Sequence, residues 1–279
     1  MTVAYRITNV PSLFSEGVDY GVEPTPLRVR AARERTLAES LGEQVARVAR
    51  ASLAMASPKR LVSALAFFEL MARDRAVGAA TLPDPVAAQP RPSGFCGAAA
   101  DISPSTLMQA YAQGLHARAP MGPASWWSPA TRVLRDPREA ADAPSRAVFD
   151  TDADAIVARC AAAAMRRDPL SALTPALKRA HARLLDRGYA HSWSVEGAAG
   201  YGVAIGGFFI VLGVAGERDA ARRSILALED ELRRRNFSTL DVTFVADAVG
   251  VDFGAQASRD HYLDMLAQSP DADCAVRWR

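Results

Sequence analysis

Asp241 is the residue whose surroundings in the sequence constrain it most. It lies between Leu240 and Val242 in an apolar run over residues 239–245, where a buried carboxylate is costly unless paired or hydrogen-bonded. An ion pair with an arginine and a part in catalysis are both open to it. His191 heads another apolar run, where it is either a hydrogen-bonded structural imidazole or a base. Trp126-Trp127 offers core packing or a stacking surface for a ligand or nucleobase. The turn Gly213-Val214-Ala215-Gly216-Glu217-Arg218-Asp219 precedes a helix and has two glycines, but Glu217 and Asp219 stand where the phosphates of coenzyme A would lie. Use of that cofactor is therefore not expected. The 4 histidines are not at metal-ligand spacing, and Cys96, Cys160 and Cys274 are scattered without a C-x-x-C pair. Neither a metal site nor a disulfide frame is indicated.

These residues need elements to carry them. Residues 26–57 read as helical, with Leu37, Leu41, Val45, Val48 and Leu53 on one side. Arg28, Arg30, Arg33, Arg35, Arg47 and Arg50 make this stretch basic, as a solvated face or as a patch for phosphates. A second helix over 58–75 is apolar on most faces, so a helical hairpin docked on the rest is expected. The prolines between Gly78 and Gly97 mark a boundary. Ser103-Pro104 opens a short helix carrying Leu107 and Tyr111. A strand near 146–149, helices over 152–167 and 175–187, strands over 190–195 and 201–214, a helix over 219–235, a strand over 239–245 and a helix over 258–268 follow. Thr151 or Asp152 and Thr174 are the expected N-caps, and Gly188 ends its helix. This order predicts an α/β fold with a mixed sheet.

The chain has 279 residues and a formal net charge of +2, so any nucleic-acid surface must be a local patch. The N-terminus has no secretory-signal pattern, and the longest apolar run, 203–215, is too short for a spanning helix of about 20 residues. A cytoplasmic protein without membrane contact is expected.

Ordered motifs between Gly94 and Gln268 resemble the leucyl/phenylalanyl-tRNA–protein transferases. Asp101-Ile102-Ser103-Pro104 with Ala110-Tyr111 and Gly114 is similar to that family's opening motif. Trp126-Trp127-Ser128-Pro129 with Arg132-Val133-Leu134, Ala190-His191-Ser192, Tyr201-Gly202-Val203-Ala204, Leu240-Asp241, and Phe253-Gly254-Ala255 with Tyr262-Leu263 continue the match in order. The resemblance implies a two-part fold with a GNAT-like acyltransferase core and, here, an N-terminal helical extension. The implied organisation is an arm and helical hairpin over 1–78, a small subdomain over 79–145 and the GNAT-like domain over 146–279. The implied reaction moves an amino acid from aminoacyl-tRNA to an amine, with no metal or organic cofactor.

Departures from the family pattern fall on positions tied to its chemistry. Its Phe-Pro-Trp reads His116-Ala117-Arg118 and its Thr-Trp-Ile reads Ser171-Ala172-Leu173. A functional Glu is replaced by Leu212, a Gln by Thr243, and the acid after His-Ser by Ser194. Of the reactive-centre set only Asp241 carries over. Asp241, Ser194 and Thr243 are therefore the expected groups for orienting an amine. Trp126, Trp127, Arg118, His191, Phe209 and Leu212 are the expected substrate contacts. The changed pocket points to an acceptor other than a protein N-terminus, such as a small molecule. Ordinary transfer to protein N-termini, and an inactive scaffold that self-associates through the N-terminal helices, are the alternatives.

Overall fold

A computed structural model describes residues 27–77, 81–139 and 146–269. The expected arm over 1–25 and Cys274 lie outside the described residues. The extension contains α1 (Leu27–Leu37), α2 (Leu41–Met55) and α3 (Leu61–Val77). The stretch expected to be one helix breaks at Ser40, whose side chain accepts from the Glu43 amide while Glu43 reaches back to the Ser40 amide. That reciprocal cap starts a new helix.

The apolar stripe assigned to this stretch is only partly inward. Leu37 is fully buried, but Leu41 and Leu53 are 77% and 76% exposed. The buried face of α2 is Arg47, Ala51 and Met55, and Leu61, Val62, Leu65 and Phe68 of α3 are also exposed. Docking relies on specific contacts instead. Arg33 of α1 binds Asp154 at 2.8 Å and also grips Asp186. Arg47 pairs with Glu39 at 3.0 Å and donates to the Pro120 carbonyl. Phe67 of α3 stacks on Trp127.

Then come β1 (Phe95–Ala98), α4 (Pro104–Ala112), β2 (His116–Arg118), β3 (Ser125–Trp127) and β4 (Thr131–Arg135). Strands β1, β3 and β2 form a three-stranded antiparallel sheet in that order. The remaining elements are β5 (Val148–Phe149), α5 (Ala153–Arg167), α6 (Pro175–Asp186), β6 (Ala190–Val195), β7 (Ala198–Ile205), β8 (Phe208–Ala215), α7 (Arg218–Arg234), β9 (Thr239–Asp241), α8 (Ala246–Val249), β10 (Ala255–Ser258) and α9 (Arg259–Ala267). A seven-stranded sheet runs β10-β4-β9-β8-β7-β6-β5, and β8–β9 is its parallel pair. Helix α7 makes that crossover, as a parallel connection requires.

The expected α/β fold with a mixed sheet and N-terminal helices is therefore the observed one. Three details differ. The strand expected over 201–214 belongs to two strands, β7 and β8, reversing at Gly206-Gly207. The strand expected over 239–245 stops at Asp241, and residues 243–245 turn as a 3-10 helix. Asp152 stands at the N-cap of α5 without a side-chain cap bond, whereas Thr174 caps α6 as expected.

Both sheet faces are covered. Val157 and Cys160 of α5 and Leu177 and Leu184 of α6 pack with Tyr201, Val203 and Ile210. Ile225, Leu228 and Leu232 of α7 pack with Trp193, Phe209 and Val211 on the opposite face. Full burial of each such aliphatic side chain contributes roughly 1.5–3 kcal/mol.

Candidate active site

The β7–β8 hairpin has an irregularity that shapes the site. Gly202 pairs with Val211 and Tyr201 with Gly213, which leaves Leu212 as an extra residue in β8. Such a bulge turns consecutive side-chain positions toward one face. Gly213 is required there because a Cβ would lie 2.7 Å from the Tyr201 ring and 3.0 Å from Cys160 Cβ. The ring of Tyr201 thus lies close over β8.

Against the bulge opens a cleft that is continuous with solvent. Strand β2 contributes His116, Ala117 and Arg118, and the turn before α6 contributes Leu170, Ser171, Ala172 and Leu173. Helix α5 supplies Cys160, Ala161 and Ala164, and Phe244 closes one side. Arg118, Ala172 and Leu212, from three separate departures in the sequence, meet around this space.

A hydrogen-bonded relay backs the cleft. Tyr111 Oη lies 3.0 Å from His181 Nε2, and His181 Nδ1 lies 3.0 Å from Tyr201 Oη. Burial pushes the His181 imidazole down to about 3, so it is neutral at pH 7. A neutral ring has one N–H and one lone pair. If Tyr111 donates to Nε2, Nδ1–H donates to Tyr201, whose own O–H remains for a substrate; the other tautomer reverses the direction. His116 stacks on Phe244 with ring centroids 3.6 Å apart. Burial, then the charge of Arg118, hold His116 well below its ordinary value.

The expected site residues do not form one group. Asp241 is fully buried on β9, where Oδ2 accepts from Arg132 at 3.3 Å and Oδ1 accepts from the Thr243 amide at 2.9 Å. Thr243 Oγ1 accepts from the Val133 amide at 2.9 Å. Asp241 and Thr243 thus stand behind the cleft, with Phe244 in its lining. Ser194 lies on β6 opposite Val148 and Ala199. His191 and Phe209 occupy the other sheet face, with His191 Nδ1 3.0 Å from Asp150 Oδ2 and Phe209 against Trp193. Trp126 is in the core, and Trp127 stacks on Phe67 while its Nε1 donates to Ser125 Oγ. Arg118 and Leu212 line the cleft.

The sequence reading did not single out His116, His181, Tyr111 or Tyr201 as site residues. A signal existed for His181: it shares the inward stripe of α6 with Leu177, Ala180 and Leu184, where a polar ring needs partners. Among the described residues, no group of three or more His, Cys, Asp or Glu could hold a metal. No helix among them is long and apolar enough to cross a membrane.

A mixed sheet covered on both faces, with a bulged hairpin opening onto a cleft, makes this an α/β protein of the architecture the acyltransferase resemblance implies. The family described as leucyl/phenylalanyl-tRNA protein transferase matches residues 131–267. Proteins named leucyl/phenylalanyl-tRNA–protein transferase from Pseudomonas fluorescens (strain Pf0-1) and Pseudomonas putida (strain W619) are 31% and 32% identical to this chain. Each alignment covers 67% of this chain and 90% of the relative. One of the same name from Anaeromyxobacter sp. (strain Fw109-5) is 29% identical over 68% of this chain and 88% of its own length. The chain belongs to the leucyl/phenylalanyl-tRNA–protein transferase family.

Asp241→Asn leaves Arg132 charged and unpaired in the interior, and should lower unfolding stability by about 3 kcal/mol or more; an unchanged urea midpoint would show that the pair is dispensable. The unfolded chain protonates His181 near pH 6.5, and the fold resists this until about pH 3. Stability should therefore be fully present above about pH 6.5 and fall as pH drops, by roughly 1.36 kcal/mol per unit from this group. Urea unfolding between pH 7.5 and 5 should show a shallower slope for His181→Gln; identical slopes would contradict the assignment.

Proposed function

We propose that this protein transfers an amino acid from aminoacyl-tRNA to the N-terminal amine of a protein. The observation that carries the reading is the cleft: positions matched to the family's pocket in the sequence converge on it from β2, the turn before α6 and the β8 bulge. Family membership supports tRNA as donor and a protein as acceptor, the activity in the relatives' names. Support for a small-molecule acceptor is limited to the changed side chains, so protein N-termini are the better-supported acceptor.

The chemistry asks little of a base before attack. A protein α-amino group has a pKa of about 7.7–8.0, so roughly a third is neutral near pH 7.5. Its nitrogen attacks the ester carbonyl of the charged tRNA. The C–N bond forms, the C–O bond to the terminal ribose breaks, the amine loses a proton and the ribose oxygen gains one. Two things accelerate this step: alignment of the reactants and hydrogen-bond donors at the developing oxyanion. In the tautomer that leaves its O–H free, Tyr201, fully buried in the cleft wall, has a donor not used within the relay. Asp241 acts through Arg132 and the backbone at Thr243 in this reading, as a positioning residue.

The test is transfer of labelled amino acid from a panel of charged tRNAs, leucyl- and phenylalanyl-tRNA included, to peptides beginning with Arg, Lys, Asp or Glu. Transfer should occur with the full chain, fall far more in Asp241→Ala than in His191→Ala, and fail without tRNA charging. Absence of transfer from every charged tRNA would overturn the reading.

A further inference from the structure

Most interior or partly buried arginines in this fold meet a carboxylate. Arg33 meets Asp154 and Asp186, Arg47 meets Glu39, Arg132 meets Asp241, and Arg135 meets Glu229. Arg118 differs. Arg118 lines the cleft, and its guanidinium carbon lies 5.5 Å from the centroid of the Trp127 ring. Among the described residues, no carboxylate pairs with it and its guanidinium donates no hydrogen bond within the chain. Asp168 and Asp247 act on it only through space and are themselves paired with Arg60 and Arg167.

A second group on the same strand also lacks a hydrogen-bond partner. His116 Nδ1 is buried without a hydrogen bond, and this residue lines the cleft as well. No Asp or Glu lines the space; much of the remaining wall is Ala161, Ala164, Leu170, Ala172, Leu173 and Leu212. A cation facing an apolar cleft, next to an unsatisfied ring nitrogen, lacks the anion that would compensate its desolvation.

We propose that the cleft takes a substrate bearing a carboxylate, bound by the fork of Arg118, with His116 contacting its polar edge and the apolar wall holding the rest. A planar monoanion matches one guanidinium in charge and geometry. A phosphate dianion would leave charge uncompensated against alanine and leucine side chains. The carboxylate can belong to the aminoacyl group of the donor or to the leading residue of the acceptor. That choice rests on the transferase reading, whereas the preference for a carboxylate does not.

Calorimetric titration of the full chain tests this with isosteric pairs. One arm uses non-hydrolysable aspartyl- and asparaginyl-adenosine, with the glutamyl and glutaminyl pair. The other uses peptides beginning with Asp or Asn, and inorganic phosphate is the competitor. In at least one arm the acidic ligand should bind tenfold or more tighter than its amide, and the arm that responds names the source. Arg118→Leu should erase the difference and Arg118→Lys should reduce it, each checked for folding by circular dichroism; if the Leu variant does not fold, the Lys variant decides. Equal binding of acid and amide in both arms, persistence of the preference in the folded Arg118 variant, or displacement by phosphate at matching concentration would each overturn the proposal. Transfer assays on the same preparation separate the two readings. An intact acid preference without transfer would remove only the transferase reading, and transfer without any acid preference would remove only this inference.

Discussion

The Arg132 guanidinium, 1% exposed, is the contact on which the arrangement around the cleft depends. One arm of its fork pairs with Asp241 on β9, and the other donates to the Gly114 carbonyl at 2.5 Å. Its flat face covers the Tyr262 ring at 4.2 Å, and Phe244 lies 5.4 Å away. A single buried cation therefore joins the loop entering β2, the centre of the large sheet, the turn after β9 and helix α9. The Gly114 carbonyl is available because that residue is left-handed, at φ +76°, where a Cβ would also strike Leu263. Burying this charge is tolerable because the carboxylate, a carbonyl and two rings compensate it together.

That junction sets the relation between β2 and the β8 bulge, and so the width of the cleft between them. The space it leaves has an unusual chemical balance. His116, His181 and Tyr201 in its wall are buried and neutral, its cation is Arg118, and acids are absent from its lining. Leucine and alanine stand where the family pattern has an acid and a tryptophan. In the proposed reading the scaffold is kept and the charge of the pocket differs, which separates the reaction class from the choice of substrate.

Much of this was legible in the sequence, for identifiable reasons. The helices α5, α6, α7 and α9 have breakers, caps or clear amphipathic faces at their ends, and these bound them correctly. Strands β7 and β8 merged into one expected strand because both faces of each are buried, which erases the period-two signal. Helix α2 was misread in orientation because its inward face uses Ala51 and the hydrogen-bonded Arg47, while Leu41 and Leu53 face outward. At the site, an apolar strand around Asp241 announced that the carboxylate needed a partner. Which arginine answers, 109 residues earlier, depends on the β4–β9 pairing and could not be read. His191, Phe209 and Arg118 looked equivalent as candidates. Sheet geometry alone puts the first two on the α7 face and the third in the cleft.

In the proposed reaction the reacting groups meet in the cleft between β2 and the β8 bulge. A crystal structure of the full chain with a non-hydrolysable aminoacyl-adenosine, the end of a charged tRNA, tests this most directly. The aminoacyl group should lie in that cleft, within contact of Arg118, Tyr201 and Leu212. An ordered ligand on the opposite sheet face, beside His191 and Phe209, would contradict it.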